Sequence, residues 1–279
     1  MKKRKNIIYN LLLTISLIVF LYSGYRLIAY YFEYKNMESV YAEISNQVVN
    51  DFEINLNEDL LKQAPKINMD ELKNINSEII GYILIPDTKV SYPIAYSNDE
   101  LKYLNYDVRN YKSRAGAIFL EPTDYPDFED TSNIIHGHNM INDTMFGQLN
   151  EYVDDEEFFK NHSYFYIYTY DHVYLYRIFC ADTIEDGSTT YRLSFSSNAS
   201  LMRYIQDRIE ASEFAPAITP TKTDRIITLS TCSNYGETLR TVVQAYCVDR
   251  KPLITEWKEK GATSKVYNFI RYVLFLLEA

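Results

Sequence analysis

The stretch from Ile7 to Tyr25 constrains this chain most. It is nineteen residues without a charge, relieved only by Asn10 and small hydroxyl side chains. As a helix it would reach ~28 Å, enough to cross a hydrocarbon core. Lys2, Lys3, Arg4 and Lys5 stand in front of it. A basic cluster on that flank predicts a cytoplasmic N-terminus and an exported remainder, hence a single-pass protein of the cell membrane. The rival is a cleaved signal peptide. The run is longer than a usual signal core and no small-x-small cleavage site follows it, which favours an uncleaved anchor. The 279 residues leave room for one large domain plus an extension. The net charge is −10, and the five bases of the first 26 residues face no acid there, so the remainder is more acidic still. That argues against nucleic acid as a partner, because phosphate binding needs a basic surface.

Beyond the anchor the pattern changes twice. From Arg26 to Asn76 apolar positions recur at three and four (Ile28, Tyr31, Phe32) between Glu, Lys and Asn, which predicts a helical stalk or cap interrupted at Pro65. From Ile79 strands take over. Ile79 to Ile85, Pro86-Asp87 and Val90 to Ile94 read as strand, turn, strand. Asn98 to Tyr106 reads as a short helical or irregular crossover, and Ala117 to Leu120 and Asn133 to His138 as two more strands. Tyr164 to Thr169 and His172 to Cys180 flank a tight turn and form the clearest hairpin. The 27 tyrosines suit such pleated, half-buried surfaces. Ser200 to Glu213, within the long connection from Thr183 to Thr223, has helical spacing (Leu201, Tyr204, Ile205, Ile209). Arg225 to Thr231 and Thr241 to Val248 are the last strands. Val266 to Leu277 is nearly all apolar and too short to span a bilayer comfortably. It reads either as a helix packed on the domain or as one lying at the membrane surface.

Chemistry concentrates at Thr228-Leu229-Ser230-Thr231-Cys232, followed eight residues later by Arg240. An apolar strand delivers a thiol to its end; a polar loop and a cation open the return strand. A second element, His136-Gly137-His138-Asn139-Met140, closes the Asn133 strand. Residues two apart on a strand share a face, so both imidazoles are expected to look into one groove. A thiol with its ordinary pKa of ~8.5 needs help to ionise, and a histidine in hydrogen-bond reach supplies it. Arg240, always charged, could stabilise an oxyanion; its bland alternative is an exposed ion pair. Cys180 and Cys247 lie in apolar strands and read as core thiols, and His162 and His172 as surface residues. The three cysteines fit neither a metal site nor a disulfide framework. The acidic loop Pro122 to Asp130 lacks the spacing of a calcium loop and reads as solvated, so no metal is expected.

These residues carry a resemblance. Leu-Ser-Thr-Cys with Arg240 on the next strand, the His136-Gly137-His138 segment, and the opening hairpin GYILIPDTKVSYPI resemble the sortases, the Gram-positive cysteine transpeptidases, and the form TLSTC resembles class B. The match runs from about Ile79 to Val248. It implies a mainly β, eight-stranded barrel with an N-terminal helical extension, a transmembrane helix, and a helix in the connection before the seventh strand that forms one wall of a substrate groove. The expected division is 1–26 anchor, 27–76 stalk or cap, 77–250 catalytic barrel and 251–279 helical tail. The resemblance implies Cys232 as nucleophile, His138 as acid–base and Arg240 as the third catalytic group, with Ser230, His136 and Leu104 on the groove wall. A Tyr commonly stands two before the family's histidine; here it is His136. The implied reaction cleaves a sorting-motif peptide of a secreted surface protein after Thr and passes the acyl group to a cell-wall cross-bridge amine, with no cofactor. Two other readings remain at this stage, a secreted papain-type cysteine protease and an exported, non-enzymatic binding module with a tyrosine-rich β surface.

Overall fold

The computed structural model describes residues 2–50, 52, 58–99, 101–236 and 238–253. Helix α1 spans Lys2–Val48 as one rod, so the apolar run and the first part of the stalk are continuous. Its domain-facing stripe is Met37, Val40, Tyr41, Ile44 and Val48, all buried and spaced as one helical face. The expected helix does not continue to Asn76. After Val48 the chain turns back through a bridge between Val49 and Ile67. It re-enters a helix at α2, Met69–Ile75, where the Asn68 side chain accepts the Glu71 N–H.

Eight strands then close a barrel: β1 Ile79–Leu84, β2 Ser91–Ala95, β3 Ile118–Leu120, β4 Ser132–His136, β5 Tyr164–Tyr168, β6 His172–Glu185, β7 Ile226–Cys232 and β8 Leu239–Pro252. Their order around the barrel is β1-β2-β3-β4-β7-β8-β6-β5. The pairs β2–β3 and β4–β7 are parallel and the others antiparallel. The eight-stranded, mainly β architecture is the expected one. The crossover carries the short helix α3, Lys102–Asn105. A 3-10 turn at Gly147–Asn150 leads into α4, Glu151–Asp154, and α5, Glu156–Asn161, which the sequence reading left unassigned. Helix α6, Asn198–Ala211, lies in the connection before β7.

Two strands outrun their predicted ends. β6 continues past Cys180 to Glu185, and β8 past Val248 to Pro252, and the two pair along most of their length. The expected C-terminal helix falls largely on 254–279, outside the described residues. β5 is buried on both faces. The alternation of its sequence suits one wet face, but the loop before α2 covers that face, and the Tyr166 hydroxyl donates to the Leu60 carbonyl at 2.8 Å.

Helix α6 docks through a buried polar chain. Arg208 Nε donates to Gln244 Oε1 at 3.2 Å, and Gln244 Nε2 donates to the Tyr204 hydroxyl at 2.7 Å and to Thr228 Oγ1 at 3.0 Å. The buried Gln244 amide and the Tyr204 and Thr228 hydroxyls each have a partner, which such burial demands.

The acidic loop is less solvated than its composition suggests. Asp124 is 4% exposed and accepts the Ile134 N–H at 2.8 Å. Burial pushes its carboxyl up to about 7, and the Ile134 bond opposes the shift. The folded protein therefore holds this proton more tightly than the unfolded chain does. The resulting stability is fully present below the ordinary carboxyl range and is lost as pH rises through about 7. In thermal melts from pH 4.5 to 8, Asp124→Asn should flatten a decline that the parent shows. Parallel profiles would refute the assignment.

Candidate active site

The register of three strands builds the site. β7 and β8 pair so that Cys232 stands directly opposite Arg240, and β4 and β7 so that His136 stands beside Ser230. Directly opposed residues of an antiparallel pair project to the same face, with Cβ atoms ~5 Å apart. The Gly137 N–H donates to the Ser230 carbonyl at 3.1 Å, extending the β4–β7 ladder one residue past the strand. His138 therefore follows β4 rather than lying on it. Even so, Cys232, His138, Arg240, Ser230, His136 and Leu104 all line one cavity of about 490 Å³.

His138 is held by backbone. Its Nε2 lies 2.9 Å from the Leu104 carbonyl oxygen at the end of α3. A carbonyl only accepts, so Nε2 carries the hydrogen and Nδ1 is the basic nitrogen of the neutral ring. The sequence offered no orienting residue because a main-chain carbonyl leaves no side-chain signature. Two glycines make the approach possible. A Cβ at Gly137 would sit 2.4 Å from Ile118 Cδ1 and 2.8 Å from Phe146. Gly116 adopts φ +56°, and a Cβ there would meet the Tyr103 carbonyl at 2.4 Å and His138 Cδ2 at 3.0 Å.

The loops after the histidine and after the cysteine are joined. Asn139 Nδ2 donates to Asn234 Oδ1 at 2.8 Å. Behind them, buried Asn150 accepts from Thr241 Oγ1 at 2.7 Å and from the Asn234 N–H at 3.3 Å. Arg240 donates from Nη2 to Asp186 at 2.8 Å and from Nη1 to the Leu239 carbonyl at 3.1 Å. That ion pair fixes the plane of the guanidinium at the cavity edge.

The thiols differ in environment. Cys232 is exposed. Burial pushes Cys180 and Cys247 up to about 11, so neither supplies thiolate near neutrality. Cys247 is only partly buried, a departure from the core position expected for it. His162 and His172 are half-buried rather than surface residues.

Other lining residues carry no local signature in the sequence. Glu121 accepts His136 Nε2 at 2.9 Å, and that contact holds its carboxyl below the usual range. The His136 ring also stacks on Phe119, 5.4 Å between centroids. Tyr191 shares a 2.6 Å hydrogen bond with the Ser230 hydroxyl, and Asp186 follows directly on β6, placed there by the strand's extension to Glu185. The wall opposite β4 is the segment from Asp186 to Leu193, leading into α6, while the helix itself stands behind it.

An exposed thiol, a carbonyl-held imidazole and an anchored guanidinium around one groove on a closed barrel define a site for cysteine acyl-transfer chemistry. Residues 83–248 match the Sortase domain, and the chain belongs to the sortase family of cysteine transpeptidases. Its likeness runs to the class B members. It is 29% identical over 231 residues to Sortase B of Listeria monocytogenes, covering 82% of this chain and 92% of that one. It is 26% identical over 245 residues to Sortase B of Staphylococcus aureus, covering 86% and 95%. The crystal structure of sortase B from Bacillus anthracis superposes with a TM-score of 0.63 at 30% identity, covering 78% of this chain and 98% of that one.

Gly116→Ala tests the support of His138. The added methyl should lower turnover at least tenfold and cost about 1–3 kcal/mol of stability. A variant with parent kcat and parent melting temperature would show that the close approach at Gly116 is dispensable.

Proposed function

We propose that this sortase is a membrane-anchored transpeptidase that cleaves a C-terminal sorting motif after its Thr and joins the protein to a cell-wall amine. The observation that carries the reading is the convergence of Cys232, His138 and Arg240 on one cavity. Cys232 Sγ attacks the carbonyl carbon of the Thr while His138 Nδ1 takes the thiol proton. Negative charge gathers on the carbonyl oxygen, and the positive charge of the Arg240 guanidinium stabilises it. The C–N bond breaks, His138 returns its proton to the leaving amine, and a thioacyl-enzyme remains. An acceptor amine then attacks the thioester and gives up a proton to His138. The Cys232 sulfur leaves and recovers that proton, and the new amide departs.

Ser230, His136 and Leu104 are assigned to substrate binding. Tyr191 steadies the Ser230 hydroxyl, and the Glu121–His136 pair offers a polar wall in place of the commoner tyrosine. Helix α1 supports anchoring: its apolar window has a mean hydropathy of 1.9 and none of it is buried against the protein. With Lys2 to Lys5 in front, the catalytic domain faces outward. The proposed division is anchor 1–26, stalk and cap 27–76 and catalytic barrel 77–250.

Intact-mass spectrometry of the protein with a small library of sorting peptides, with and without an excess of a short glycine peptide as acceptor, tests the reaction. The parent should gain an acyl adduct on Cys232 and yield ligated product, and Cys232→Ala should yield neither. Free acid alone in the presence of the amine would overturn transpeptidation in favour of hydrolysis. Arg240→Lys keeps the charge but loses the planar fork and should lower kcat ~10²-fold with little change in KM. A loss confined to KM would instead assign Arg240 to substrate binding.

A further inference from the structure

We propose that the catalytic domain sits directly on the phosphate-bearing lipid headgroups of the outer leaflet, with Arg114 as the contact residue. The inference rests on the reading of α1 as a membrane span.

The argument begins with a length. The apolar run of α1 ends at Tyr25, and the rod continues unbroken to Val48. The catalytic domain meets it at Tyr30, whose ring lies under the Arg114 guanidinium at 4.6 Å. One turn further on, Glu33, Tyr34 and Met37 share a notch with Arg114, Ala115 and Met140. At Tyr41 the hydroxyl donates to the Gly116 carbonyl at 2.8 Å. Tyr25 and Tyr30 are five residues apart, which is ~7.5 Å along a helix axis. The polar layer on each side of a bilayer is ~5–8 Å thick. A continuous helix has no hinge with which to lift the domain away, so Arg114 is held at headgroup depth. Tilting the helix only brings one edge of the domain closer.

The chemistry agrees with that depth. Arg114 is exposed, and among the described residues no carboxylate pairs with it. Its own stretch, 101–117, carries Lys102, Arg109, Lys112 and Arg114 against the single acid Asp107. Arg109 binds that buried acid and Lys102 binds Glu78, which leaves Lys112 and Arg114 with no carboxylate paired to them among the described residues. A basic edge on a chain of net charge −10 is where an anionic surface would be tolerated. Guanidinium matches phosphate geometry with two parallel donors, and Tyr30 beneath it is the kind of residue that settles at the membrane–water boundary. The same segment reaches the active site, since Leu104 supplies the carbonyl that holds His138. Arg114 and the carbonyl that holds His138 therefore share one continuous piece of chain.

The test uses the full chain in vesicles of phosphatidylcholine and phosphatidylglycerol, the latter bearing a photoreactive diazirine in the headgroup. After illumination, mass spectrometry should find lipid adducts within 106–116. Arg114→Glu should reduce them at least fivefold, and Arg114→Lys should retain most of them. Cleavage of a soluble sorting peptide by Arg114→Glu should match the parent, which guards against misfolding and keeps the lipid readout independent of the catalytic assignment. Adducts confined to α1 before Tyr30, or equal labelling of 106–116 in parent and Arg114→Glu, would overturn the contact. So would release of the full chain by alkaline carbonate, which removes the anchor on which it depends.

Discussion

Hydrogen-bond register between β4, β7 and β8 is the constraint on which the rest depends. A shift of one residue in β7 against β8 would turn Cys232 to the opposite face from Arg240. The same shift against β4 would part His136 from Ser230. Closure of the barrel protects this register. β7 has a hydrogen-bonded neighbour on both sides, and β8 is locked to β6 along most of its length. The ladder brings Cys232 opposite Arg240 and Ser230 beside His136 without any movement of the loops. Tight turns, two glycines and an amide clasp supply the final ångströms.

Around that ladder the polar residues divide into those that hold elements and those that face the groove. Gln244, Tyr204, Thr228 and Arg208 are enclosed and mutually bonded, and they seat α6 against the barrel. Tyr204 also donates to the Thr190 carbonyl at 2.6 Å, next to Tyr191, whose hydroxyl reaches Ser230 in the groove. The helix before β7 thus shapes the groove through the loop that it pins. Asn150 plays the same part from the other side, gripping the start of β8 and the loop after Cys232 with a single side-chain oxygen.

What could be read from the sequence followed from local pattern. The thiol was legible because an apolar run ends on it and a polar loop follows. The histidine was legible because Gly137 and Asn139 surround it in a known arrangement. Residues whose roles come from distant pairing were not legible. Glu121 meets His136 only through the register of β3 and β4, and nothing near Glu121 in the chain announces a histidine. Asp186 depends on five residues of β6 beyond the point where its alternation fades. Tyr164, Tyr166 and Tyr168 advertise a half-wet strand, and burial of their outer face comes from a segment about a hundred residues away. The short helices from Glu151 to Asn161 are acidic at their starts and too brief to show a period. The stalk offered a helical pattern up to Asn76, and the turn back after Val48 became visible only with its bridge to Ile67.

The carbonyl behind His138 has a consequence for mutation. The acceptor is main chain, so every residue type at position 104 still presents it, and no exchange of the Leu104 side chain deletes the contact. The grip on the imidazole is lost only if the backbone at the end of α3 moves.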